Sequence, residues 1–190
     1  MRGLRIEPAT LVMLDRLVLL LLTMILAAIL TAALVMQFAF GEIPCPLCLL
    51  QRVAMFGCCF GLLHQLRARD SERGGGIALL FALLLLVIAT RQTLLDLFPR
   101  PGHAYIGSAV LGVHMEVWSV LIGVAVLLAL ALRLTLLGGP HLMRAERPPL
   151  VRATRLAEFY VVLICAINVA AVVLQCGLDE CHTAGYRLIP

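Results

Sequence analysis

The sequence predicts an all-α integral membrane protein, a single transmembrane domain of five helices spanning residues 1–190. Three observations carry that prediction. Hydrophobic residues fill 62% of the 190 positions and charged ones only 14%, with a mean hydropathy of +1.03. An ordinary soluble domain has no use for that much apolar surface. The apolar residues collect in five runs of about 20 residues each, the length that crosses a hydrocarbon layer. Polar stretches rich in Gly, Pro and Arg separate the runs and leave little chain for a soluble domain.

The first run covers about 17–40 and follows Arg2, Arg5 and Arg16. It is longer than a signal-peptide core and lacks a small-x-small cleavage site, so it reads as the first span. The second run, about 49–66, leads into the polar, glycine-ended turn at 64–75. The third, about 76–98, contains Arg91 and Asp96 and is stopped by Pro99-Arg100-Pro101-Gly102. A loop then passes Tyr105, Gly107 and Gly112 to reach His114 and Glu116. The fourth run, about 117–137, closes at Gly138-Gly139-Pro140. A linker with Arg144, Arg147, Arg152 and Arg155 precedes the fifth, about 159–175, and a polar stretch follows it.

All 15 basic side chains are Arg, and the net charge is +4. Their distribution reads as a topology signal and headgroup contact, and nothing in it suggests nucleic acid. Arg2, Arg5, Arg16, Arg67, Arg69, Arg73, Arg144, Arg147, Arg152 and Arg155 fall on one side of the predicted membrane. Arg100 and Arg187 fall on the other, with Arg52 and Arg91 near helix ends. The positive-inside rule then puts the N-terminus in the cytoplasm, and five spans put the C-terminus outside. In a bacterial cell that outer side is the periplasm, where disulfides persist.

Four of the seven Cys lie at the ends of apolar runs: Cys45 with Cys48, and Cys176 with Cys181. Both pairs are expected on the non-cytoplasmic side. Cys58, Cys59 and Cys165 lie inside runs and read as small core residues. The stretch Cys45-Pro46-Leu47-Cys48 can close a small, exchangeable disulfide ring. Cys48 opens the next helix, where the positive end of the dipole stabilises a thiolate. Arg52, four residues on, lies on the same face, beside that sulfur or an anionic electron acceptor. A C-x-x-C pair is also half of many zinc sites or a permanent disulfide, but this placement favours redox exchange. Cys176 and Cys181, with Asp179 and Glu180 between them, read equally as a relay or as an anchor for the C-terminal stretch. Arg91 either snorkels, pairs with Asp96 or holds a polar ring group at the bilayer edge. His114, one helical turn from the interfacial Trp118, reads as a hydrogen-bonded interfacial His or as the proton donor to a reduced acceptor.

Over residues 25–130 the chain resembles the DsbB family of inner-membrane thiol:quinone oxidoreductases, as a divergent five-span member. The resemblance rests on Cys45-Pro46-Leu47-Cys48-Leu49-Leu50-Gln51-Arg52, on Thr93-Leu94-Leu95-Asp96-Leu97-Phe98-Pro99-Arg100-Pro101, and on Leu111-Gly112-Val113-His114-Met115-Glu116-Val117-Trp118. It implies a four-helix DsbB-like transmembrane bundle, here with a fifth transmembrane helix. It also implies ubiquinone or menaquinone bound near the outer surface, and oxidation of a periplasmic thioredoxin-fold dithiol oxidase of the DsbA type. By position, Cys48 is then the cysteine next to the quinone, Cys45 its disulfide mate, and Arg52 the quinone-contacting arginine.

Two departures stand out. Family members carry a second Cys pair between spans three and four, whereas residues 99–116 contain no Cys; here the second pair is Cys176 and Cys181. A family His near the end of span three is replaced by Gln92, which cannot carry a proton in the same way. The alternative from another class is a non-catalytic membrane protein that binds or passes a soft metal such as copper through its Cys pairs. A vitamin K epoxide reductase type of bundle is a poorer match, because the late pair has the wrong spacing for its C-x-x-C.

Overall fold

The computed structural model describes residues 8–67, 72–98, 109–110, 112–137 and 148–177. The chain runs α1 (Pro8–Ala39), α2 (Pro46–Arg67), α3 (Arg73–Leu97), β1 (Ala109–Val110), β2 (Val113–His114), α4 (Met115–Leu136) and α5 (Pro148–Cys176). The five helices are each long and apolar enough to cross a membrane, and together they make an all-α membrane bundle. α1, α2 and α5 all begin on a proline, which suits a first helical position because the missing N–H has no partner there.

Two helices outrun the apolar runs that announced them. α1 starts ahead of Asp15 and Arg16, and α5 starts ahead of Arg152 and Arg155. Hydropathy reports where a helix meets lipid, whereas helix ends are set by proline, glycine and caps. The 32 residues of α1 extend about 48 Å at 1.5 Å per residue, well beyond the ~30 Å hydrocarbon layer. Between α3 and α4 the structure adds a short antiparallel hairpin, pairing Ala109 with His114 and Val110 with Val113.

The core inverts the soluble pattern. Small residues face inward on α3 (Ala78, Ala82, Ala89) while Leu80, Leu83 and Val87 face out. Among apolar lipid tails, close backbone approach replaces the hydrophobic effect as the reason to pack. α2 and α3 make the most intimate pair, and two glycines show why. A Cβ on Gly61 would sit 2.5 Å from the Ala78 nitrogen, and one on Gly74 2.3 Å from the Gln65 nitrogen. Cys58 and Cys59 are fully buried in this layer, and Cys58 Sγ donates to the Ala78 carbonyl at 3.6 Å.

Successive helices reverse direction, so the bundle has one end carrying Cys45 and one carrying the start of α1. At the latter, Arg133 of α4 forks onto Asp15 of α1 (Nε to Oδ1 2.6 Å, Nη2 to Oδ2 3.2 Å) and reaches Glu72 (Nη1 to Oε2 2.8 Å) at the head of α3. The Arg133 side chain is 2% exposed and that of Asp15 10%. Sequence reading passed over Arg133 because it lies inside an apolar run, with its partners far away in the chain.

Removing one member of such a pair strands the other in a medium that cannot solvate it, at a cost of about 3–5 kcal/mol. Arg133→Met should therefore destabilise the bundle by about that much in SDS titration followed by circular dichroism. The double change with Asp15→Leu should recover at least about half of the loss. Equal stability of the single variant and the parent would show that the cluster does not clamp the helices.

Candidate functional site

The site forms where α1 ends and α2 begins. Gly41 adopts φ +69°, which a glycine enters without steric cost, and the Glu42 N–H reaches back to the Met36 carbonyl at 3.3 Å. The chain then passes without regular structure through Pro44 and Cys45 into Pro46 at the first helical position. Cys45 is the cap of α2. Its sulfur accepts the Cys48 N–H at 3.1 Å and its carbonyl accepts the Leu49 N–H at 3.0 Å. Sulfur takes the part that a Ser or Asp oxygen plays at most helix starts. The loop is also held from α5, because Gln175 Nε2 donates to the Pro44 carbonyl at 2.9 Å.

Gln92 of α3 is the hub. Its Nε2 lies 3.5 Å from Cys45 Sγ, 3.5 Å from Cys48 Sγ and 3.1 Å from Glu116 Oε1 at the start of α4. Its Oε1 accepts from Gln51 Nε2 of α2 at 2.9 Å. The amide orientation is fixed from both sides: turned over, its oxygen would face a carboxylate and its nitrogen another NH₂. Gln51, Gln92 and Glu116 are all buried.

Arg52 is 9% exposed and anchored to α1, donating from Nη1 to Gln37 Oε1 at 2.6 Å and from Nη2 to the Ala33 carbonyl at 3.1 Å. Between α1, α2 and α4 a cavity of about 750 Å³ opens, within the range of small-molecule sites. Cys45, Cys48, Arg52, Gln37 and Glu116 are on its wall, with apolar area supplied by Leu30, Met36, Met55 and Ile122. Gln37 Nε2 is buried without a hydrogen-bond partner.

Of the candidates read from sequence, the structure brings together Cys45, Cys48, Arg52 and Gln92. Arg91 and His114 are exposed and do not line the cavity. Arg91 is adjacent to Gln92, and a step of one residue turns it about 100° around the helix to the outer surface. Cys176 is 4% exposed and disulfide-bonded, whereas Cys45 and Cys48 are free thiols. Cys181 lies outside the described residues. Gln37, Gln51 and Glu116 were not singled out from sequence. The available signal was their position: polar side chains at the edges of apolar runs, with Gln51 one turn from Cys48. Among the described residues no three His, Cys, Asp or Glu side chains are grouped to hold a metal ion.

The two sulfurs are not equivalent. A hydrogen bond shared with the Cys48 thiol, then burial, raise the Cys45 pKa above the ordinary thiol value; the backbone N–H groups of Cys48 and Leu47 oppose this without reversing it.

The family model described as disulfide bond formation protein DsbB matches residues 15–105, from α1 into the segment after α3. A disulfide bond formation protein B of Nitrosomonas europaea is 34% identical over 89 residues, covering 45% of this chain and 54% of its own length. The protein of the same name from Chromohalobacter salexigens is 36% identical over 104 residues, covering 50% and 59%. The chain thus spans a little over half the length of these curated relatives. No solved structure matches it.

Because the Cys45 pKa is raised, this thiol stays protonated at pH 9, where an ordinary thiol of pKa 9.0 is half ionised. Only thiolates alkylate, so iodoacetamide should modify Cys45 at least about tenfold more slowly than an exposed thiol at that pH. Peptide mass spectrometry of the reduced protein checks this, and labelling of Cys45 at the free-thiol rate contradicts it.

Proposed function

Because residues 15–105 make this chain a member of the DsbB family, we propose that it is a membrane thiol oxidase. It forms disulfides in a periplasmic, thioredoxin-fold, DsbA-like partner and passes the electrons to a membrane quinone, ubiquinone or menaquinone. In this reading it is a multi-pass protein of the bacterial inner membrane, with the N-terminus cytoplasmic and the Cys45 end periplasmic. One observation carries the proposal: two adjacent free thiols at a helix start line a largely apolar cavity at one end of a membrane bundle.

The cavity residues fit a quinone head. Such a ring is flat and apolar with two carbonyl acceptors, and this wall offers apolar side chains, the guanidinium of Arg52 and the partnerless Nε2 of Gln37. A carbonyl oxygen there would satisfy a donor that is otherwise costly to bury. When bound, the quinone supplies a two-electron sink that sets the direction of the cycle. The protein does the rest. Arg52 and Gln37 would hold the head group, Cys48 would donate the electron pair, and Cys45 would close the disulfide as the pair leaves. Gln92 keeps both sulfurs in place between turnovers.

A partner thiolate starts the cycle by attacking a disulfide of this protein. We assign that first contact to the Cys176 disulfide, in the Cys176–Cys181 pairing that the sequence suggests. Gln175, the residue before Cys176, is bonded to the carbonyl before Cys45, so the end of α5 rests on the loop that carries the next acceptor.

The test uses the full chain in lipid nanodiscs and measures quinone reduction with dithiothreitol or a reduced thioredoxin-fold protein as donor. Cys48→Ser should lower both rates at least about 100-fold. Cys176→Ser with Cys181→Ser should lower only the rate with the protein donor. Retention of both rates in the double variant makes the second pair an anchor. An active Cys48→Ser variant removes the thiol-oxidase reading altogether.

A further inference from the structure

Forming a disulfide from two thiols sheds two protons as well as two electrons, and a quinone that accepts the electrons takes up two protons. At this site those protons have few places to go. The amides of Gln37, Gln51 and Gln92 do not titrate, and the guanidinium of Arg52 holds its protons permanently. Glu116 is the exception. It is 3% exposed, lines the same cavity as Cys45 and Cys48, and accepts from the Gln92 nitrogen that also touches both sulfurs. A buried carboxylate at a membrane-level cavity is costly and rare, and most such groups are functional. The other acids nearby are less well placed. Glu42, on the loop after α1, is only half-buried on the cavity wall, and Asp96, one turn past Gln92 on α3, does not line it. His114 at the head of α4 is exposed, and the nearby part of α1, residues 29–37, brings no charged side chain.

We propose that Glu116 is the proton carrier of the site. This rests on the thiol-oxidase reading and extends it. As the Cys45–Cys48 bond forms, the Cys45 S–H proton passes to a Glu116 carboxylate oxygen, directly or across one water, while the electron pair leaves through Cys48. Glu116 then gives the proton up to a quinone oxygen in the cavity. The second proton, lost by Cys48 on ionising before the electron pair leaves, passes to water at the open mouth of the cavity, and the quinone would take its second proton from that water. Two electrons and two protons leave the dithiol and two of each reach the quinone, so Glu116 ends the cycle as it began.

Gln92 could be held equally well by a neutral acceptor, which separates proton carriage from positioning. Glu116→Gln keeps a carbonyl oxygen facing Gln92 but cannot carry a proton, whereas Glu116→Asp can. In quinone-free protein in nanodiscs, the infrared difference between the dithiol form and the form oxidised by glutathione disulfide should show a carboxylic-acid carbonyl band. That band should be absent in Glu116→Gln. In turnover with dithiothreitol and quinone, Glu116→Gln should lower kcat about 100-fold. Its KM for quinone should stay within about twofold, and Glu116→Asp should restore most of the rate. An unchanged circular-dichroism spectrum and unchanged stability in SDS titration report that the bundle is intact. A parent spectrum without the band, or a Glu116→Gln variant with parental kcat, overturns the proposal. A parent protein that shows the band but never reduces quinone overturns the thiol-oxidase reading and leaves the proton carrier standing.

Discussion

A single amide decides how the polar end of this bundle is arranged. Within an apolar layer every polar group must find its partner inside the protein, since water is not there to stand in. Gln92 presents two donor hydrogens and one carbonyl, and around them gather two sulfurs, a carboxylate and a second amide from α2, the loop before it and α4. Each partner restricts the others: Gln51 fixes which way the amide faces, which aims Nε2 at the thiols and at Glu116. The register of α3 against α2 is thereby tied to the geometry of the cysteine pair. That register is already stiff, because the Gly61 and Gly74 contact brings the two backbones as close as they can come.

The two ends of the bundle are satisfied to different degrees. Around Arg133, three charges are joined by fork-like hydrogen bonds, the arrangement that best offsets the loss of hydration. Around the thiols, Gln37 Nε2 and Gln175 Oε1 are buried with nothing to bond. Leaving a buried donor unmet costs about 1–3 kcal/mol. Among the described residues, paired charges brace the first end, while the second keeps two unmet polar atoms. Gln37 lies on the cavity wall.

How much of this was legible beforehand follows from distance along the chain. The five spans, the pair Cys45 and Cys48 and the side of the helix that carries Arg52 all depend on local spacing, which a sequence displays directly. Gln92 entered only through a resemblance. Its role depends on partners 24 to 47 positions away, and no periodicity encodes those. Arg133 and Asp15 are 118 positions apart; in isolation one looks like an interruption of an apolar run and the other like a charge just ahead of one. Arg91 and Gln92 were both candidates, and the structure puts Arg91 on the exposed face and Gln92 in the interior. A charge draws attention in sequence, but one step around a helix separates the lipid-facing surface from the interior.

The fifth helix lies beyond the matched family region, and its attachment bears on whether it belongs to the site. α5 is tied to the rest at three levels: Arg67 to Glu158 near one end, Thr31 to Tyr160 at 2.6 Å, and Gln175 to the Pro44 carbonyl at the other. The first is largely exposed and contributes little. Interhelical hydrogen bonds inside a bilayer are worth roughly 0.6–2 kcal/mol each, so the other two help fix the rotation and height of a helix that also places Ala157, Val161, Ile164 and Ala171 in the core. Height is what matters here. A helix slipped by one turn would carry Gln175 about 5 Å from the Pro44 carbonyl, and Cys176 with it. The bond that holds the loop of Cys45 in place therefore also fixes the height of Cys176 against that loop.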